Sequence, residues 1–156
     1  MTDVVDRKTR SRMMSGIRNK NTKPELYIRH GIHQLGFRYR LHSTQIPGNP
    51  DIALPKHRAL IVINGCFWHG HNCHYFRWPK SNKEFWKKKI ASNKKRDSRN
   101  IAVQKALGWR ILVVWECAVR RSIHDSDFDT ISLVANWLNK KKQMAELDEQ
   151  GLHEFI

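Results

Sequence analysis

Between residues 64 and 80 the chain reads NGCFWHGHNCHYFRWPK, a stretch dense in Cys, His, Trp and Gly that follows neither a helical nor a strand period. A segment without an apolar face cannot be held by packing alone, so another agent must fix it. Cys66, His71 and Cys73 fall within eight residues, and Cys117 follows a later apolar run whose strand would return it to the same sheet edge. Three thiolates and one imidazole suit tetrahedral zinc with every position closed, the arrangement of a structural site. The spacing is not that of paired CxxC motifs, so His69 and His74 stay open as alternative imidazoles, and reduced cysteines in a core are the competing reading. Any fold for this chain must bring a strand end to this loop.

The flanking sequence supplies that strand. Residues 109–115 form an apolar run broken only by Arg110, suited to a sheet interior. Thr22, Pro24 and Glu25 make a capping box that predicts a helix carrying Leu26, Ile28, Ile32 and Leu35, stopped by Gly36. Residues 37–41, 51–54 and 59–63 have strand character and Pro or Gly punctuation, which predicts a meander. A second box at Ser81 and Glu84 predicts a helix to about Leu107, and residues 127–141 predict a last helix. The order helix, three strands, long helix, strand, helix describes an α/β domain with a mixed central sheet flanked by helices, compatible with a restriction-endonuclease-like core bearing a structural zinc loop. At 156 residues the expectation is one domain over residues 22–156, preceded by a basic arm over residues 1–21.

Charge narrows the partner. Lys and Arg number 29 against 14 Asp and Glu, a formal charge of +15, and no apolar run approaches the length of a membrane span. A polyanion is expected, and phosphate contacts by Lys and Arg fit nucleic acid best. Three cysteines that cannot pair completely, and a start lacking a secretory core, point to a reducing, cytoplasmic setting.

Two carboxylates stand out. Asp51 opens an apolar strand, a place strands avoid, where it reads either as a ligand or as a turn residue after Pro50. A metal nuclease would need a second ligand on the next strand, but Ile63 stands there, so its backbone carbonyl would have to serve. In the long helix Ile90, Asp97 and Ile101 fall within about 40° of one another at roughly 100° per residue, which turns Asp97 inward. Pairing with His69 would make that imidazole a better general base; a buried ion pair with an Arg is the alternative. Phe67 and Trp68 in the loop and Trp86 among Lys83, Lys87, Lys88 and Lys89 fit base stacking, most easily at a mismatch.

Asp51, the segment from Cys66 to Cys73, Asp97 and the run from Gly108 to Cys117 together resemble the very short patch repair (Vsr) endonucleases over nearly the whole chain. The resemblance implies an Mg²⁺-dependent hydrolase that nicks one strand of duplex DNA beside a T:G mismatch left by deamination of 5-methylcytosine, acting as a monomer with a structural zinc. Carried onto matching positions, it gives Asp51 and the Ile63 carbonyl to Mg²⁺, His69 with Asp97 to water activation, and Cys66, His71, Cys73 and Cys117 to Zn²⁺. Phe67, Trp68 and Trp86 become a major-groove wedge, Met14 and Ile17 a minor-groove wedge, and Arg10, Lys89 and Asn93 further DNA contacts. Glu25 matches a carboxylate near the site. Asn64 stands where the family often has His, and Asn cannot shuttle a proton. The alternatives are another restriction-like DNA endonuclease or a zinc-bearing DNA-binding module without catalysis.

Overall fold

The structure, a computed structural model, describes residues 20–155. Helix α1 (Lys23–Gln34) begins where the capping box predicts: the Thr22 side chain accepts from the Glu25 N–H, and Pro24 occupies the first turn. Strands β1 (Arg40–Leu41), β2 (Ile52–Leu54) and β3 (Ala59–Asn64) follow, then α2 (Lys83–Ala106), β4 (Arg110–Trp115), α3 (Glu116–His124), α4 (Thr130–Asn139), β5 (Met144–Asp148) and β6 (Gly151–Phe155). The six strands lie side by side in sequence order. β1, β2 and β3 form the antiparallel meander, β3, β4 and β5 run parallel, and β6 returns antiparallel on β5. Parallel neighbours need crossovers, which α2 supplies between β3 and β4, and α3 with α4 between β4 and β5.

β4 divides the interior, as a strand covered on both faces should. Leu112 and Val114 face a core with Ile28 and Ile32 of α1, Ala118 of α3 and Trp137 of α4. Ile111, Val113 and Trp115 face a second cluster with Cys66, Cys117 and Ile101 of α2. The domain is therefore a mixed sheet between two layers, as the apolar run of β4 requires.

Arg110, the one charged residue in that run, anchors α4. Its guanidinium donates to the carbonyls of His57, Trp137, Leu138, Lys140 and Lys142 and lies over the Trp137 ring. Three of these carbonyls belong to the last turn of α4 and its cap, groups a helix end leaves without internal partners.

Three local expectations change. α2 starts one residue past the Ser81 box, with Asn82 in the left-handed region as cap and without a side-chain cap bond. The last helix is shorter, beginning after Asp129, which caps it by accepting from the Ser132 N–H. Helix α3 and the β5–β6 hairpin were not anticipated.

Candidate active site and metal centre

Strand directions gather the notable residues on one rim of the sheet. Asp51 precedes β2, Ile63 and the 66–73 loop stand at the end of the antiparallel neighbour β3, and Cys117 follows the end of the parallel neighbour β4. A cleft of about 850 Å³ opens there, lined among others by Asp51, Ile63, Asn64, His69, Arg96 and Asp97.

Asp51 is held by backbone. The Ile63 N–H donates to Asp51 Oδ2 at 2.8 Å. The N–H and C=O of one strand residue project to the same edge, so the Ile63 carbonyl shares the side on which Asp51 sits. Burial pushes the Asp51 carboxyl up to about 6, opposed by the Ile63 hydrogen bond and reinforced by nearby Glu25. A carboxylate kept charged there at neutral pH calls for a cation. The turn before it is pressed on α2: Gly48 has φ +84°, and a Cβ there would lie within 2.9 Å of Asn100 and Gln104 atoms.

Glu25, 1% exposed, is compensated by Arg29 at 2.8 Å and by His42 Nε2 at 2.9 Å. Donor atoms of Glu25, His42 and Asp51 lie within 4.8 Å of one another. The oxygens of Glu25 and Asp51 are hard donors of the kind magnesium takes, and the crowding of two carboxylates fits a divalent ion beside Asp51. The sequence reading missed Arg29 and His42. The Glu25–Arg29 spacing of four on a helix was a legible signal; the reach of His42 across the meander was not.

The Asp97 carboxylate meets His69 Nδ1 in a short contact, as the inward stripe of α2 predicts. The contact leaves Nε2 as the ring nitrogen available to take a proton. Asn64 is buried beside them, paired with Trp115 across β3 and β4.

On the far side of Trp115, donor atoms of Cys66, His71, Cys73 and Cys117 also lie within 4.8 Å of one another. Trp115 stacks on His71 with centroids 4.2 Å apart and meets His69 edge-on at 6.2 Å. A hydrogen bond to Cys117, then burial, pushes the Cys66 thiol up, and the same bond holds Cys117 down. Burial keeps His71 below its usual value, hence neutral and able to donate a lone pair. Soft sulfur and borderline nitrogen in a fourfold set fit zinc.

The profile of the family described as DNA mismatch endonuclease Vsr matches residues 2–75. The DNA mismatch endonuclease Vsr of Escherichia coli is 37% identical over 153 residues, 98% of each chain. This chain belongs to the Vsr DNA mismatch endonuclease family. Two further Vsr-like relatives are nicking enzymes by name. V.XorIIP of Xanthomonas oryzae is 44% identical over 75% of this chain and 86% of its own, and V.NmeAIP of Neisseria meningitidis 42% over 77% and 86%.

The aromatic residues that the Vsr resemblance assigns to DNA form one cluster. Phe67 lies edge-on to Trp68 at 5.3 Å and to Trp86 at 5.2 Å. Trp86 is 6% exposed and Asn93 5%, and the Asn93 amide donates to the Trp68 carbonyl at 2.8 Å. Both therefore sit under Phe67 and Trp68, while Lys89 is exposed at the cleft. Trp78 and Phe85 are the more exposed aromatics, on Phe76 and Trp86. Arg10, Met14 and Ile17 lie outside the described residues. No helix among the described residues is long and apolar enough to cross a membrane.

Proposed function

We propose that this chain nicks one strand of duplex DNA beside a T:G mismatch, by divalent-metal-assisted hydrolysis of a phosphodiester. The observation that carries the reading is the His69–Asp97 pair lining the same cleft as the partly buried carboxylate of Asp51. Asp97 holds His69 in one tautomer, and His69 Nε2 takes the proton from a water that attacks phosphorus. Asp51 and the Ile63 carbonyl would hold Mg²⁺, which supplies stabilisation of the negative charge that develops on the phosphoryl oxygens. Lys89 and Arg96 stand at the cleft to position phosphates, contacts that carry no sequence information.

Cys66, His71, Cys73 and Cys117 would hold Zn²⁺ as a structural ion and so fix the loop that carries His69. Phe67 and Trp68 enter the duplex where pairing is weak, with Trp86 and Asn93 as their support. Residues 1–21 act as a basic arm in which Arg10 meets phosphate and Met14 and Ile17 reach the minor groove. The remaining residues work as one catalytic domain, as a monomer in the cytoplasm. Glu25 serves as a compensated anion beside Asp51, and Asn64 is a neutral spacer.

Incubation with T:G and T:A duplexes, with Mg²⁺ and with chelator, tests the reading. A nick confined to the T:G duplex and to Mg²⁺ is expected. Binding without cleavage in any divalent metal would leave a non-catalytic module, and cutting of both duplexes a different nuclease.

A further inference from the structure

The turn between β5 and β6 closes over the sulfur cluster. Asp148 Oδ2 stands 3.6 Å from His71 Nε2, while His71 Nδ1 faces Cys117 Sγ at 3.7 Å. The two ring nitrogens thus have different partners, sulfur on one side and a carboxylate on the other. The next residue adds a second contact, because the Glu149 N–H donates to Cys117 Sγ at 3.3 Å. Asp148 is itself anchored: its Oδ1 accepts from the Gln150 N–H at 2.8 Å and faces His153 Nε2 at 3.0 Å. The turn is tied down further by Arg121, which donates to the Glu149 carbonyl, and by the Glu149 carboxylate on His74 at 2.6 Å.

A carboxylate behind a ligating imidazole fixes which nitrogen carries the proton and raises the donor strength of the other. An N–H aimed at a thiolate stabilises its charge in the same way. At 3.6 Å the Asp148–His71 pair is at ion-pair range, and a small side-chain rotation brings it to hydrogen-bond length.

We propose that the β5–β6 turn is the outer sphere of the metal centre: Asp148 accepts from His71 Nε2–H so that Nδ1 faces the three sulfurs, and Glu149 N–H supports Cys117. Zinc retention and docking of the C-terminal hairpin then depend on each other, although only four residues touch the ion. The inference rests on the zinc reading above. Asp148 is a positioning residue, and His71 connects it through the Trp115 ring to the neighbourhood of His69.

Asp148→Asn is the informative variant, since Asn retains an acceptor for the Gln150 N–H and keeps the turn while losing the charge. Zinc release from purified protein into excess chromogenic chelator should be roughly 10- to 100-fold faster in this variant. Nitrogen NMR of the imidazoles should show the His71 Nε2 proton shifted. Glu154→Ala, which removes the Lys140 ion pair of the same hairpin, should release zinc at the wild-type rate. Wild-type release from a folded Asp148→Asn protein would overturn the assignment, as would equal acceleration in Glu154→Ala. Should Asp148→Asn fail to fold, His153→Ala must accelerate release for the proposal to stand. Protein that purifies without zinc would instead defeat the zinc reading itself.

Discussion

The Ile63 N–H donates to Asp51 Oδ2 across 2.8 Å, so β3 holds this carboxylate with its own backbone. The arrangement makes Asp51 costly without a cation and useful with one.

Asp51→Asn should therefore abolish nicking while keeping DNA affinity, and also stabilise the metal-free fold in a pH-dependent way. The folded carboxyl is raised from 3.8 to about 6, so the folded state binds the proton more tightly than the unfolded chain. Its contribution is most favourable below pH 3.8 and is lost as pH rises to about 6. Above that pH Asn should gain up to about 3 kcal/mol over Asp. Thermal unfolding in chelator at pH 4 and pH 8 measures this, and an equal difference at both pH values counts against the buried-carboxylate account.

His69→Ala should lower the single-turnover nicking rate by about 10²- to 10⁴-fold, as loss of a general base does. Asp97→Asn should fall in the same direction with DNA binding unchanged. If Asp97→Asn weakens binding and leaves the rate alone, Asp97 shapes the loop and does not orient the imidazole.

Gly48→Ala should lower both stability and rate. The left-handed φ and the 2.8 Å approach of a Cβ to Asn100 would lift the turn off α2 and shift Asp51 with it. A cost of about 1–3 kcal/mol is expected from such strain. Denaturant midpoints and nicking rates measured together would show whether the turn positions the carboxylate.

Arg110→Met should cost about 2–4 kcal/mol, since it strips charged donors from carbonyls at the end of α4. Urea unfolding checks it, and a loss below 1 kcal/mol would mean those carbonyls find water.

Trp68→Ala should narrow the ratio of T:G to T:A binding, while Lys89→Ala should weaken both and reduce the salt slope. Titrations at several salt concentrations separate the two. An unchanged ratio would place Trp68 among the supports with Trp86.

What the sequence made legible followed from strong periodicity or chemistry. β4 is apolar on both faces, α1 starts at the Thr22 cap with Glu25 reaching back to the Asn21 N–H, and the 66–73 loop carries the three residues that cluster with Cys117. Asp97 was found because helical phase turns it toward Ile90 and Ile101. Other features lacked a local signal. In β5, buried Ala145 and Leu147 alternate with Met144, Glu146 and Asp148, too short and too charged a pattern to read as a strand. Helix α3 starts directly from β4 at Trp115, without a side-chain cap. At Ser81 a formal box was present, yet Asn82 in the left-handed region took the cap. Trp86 is surrounded by lysines in sequence, while helical phase packs its ring against Phe67 and Trp68, a contact no local pattern announces.

The alternation of strand directions has a practical consequence for handling the enzyme. β6 runs antiparallel to β5 and pairs Phe155 with Met144, so residue 155 ends at the edge of the sheet away from the mouth of the cleft. A surface anchor on the outer side of β6 would leave the edge that carries the candidate site facing solution. Long DNA could then be threaded past an immobilised molecule and individual nicking events timed, without the support obstructing the duplex.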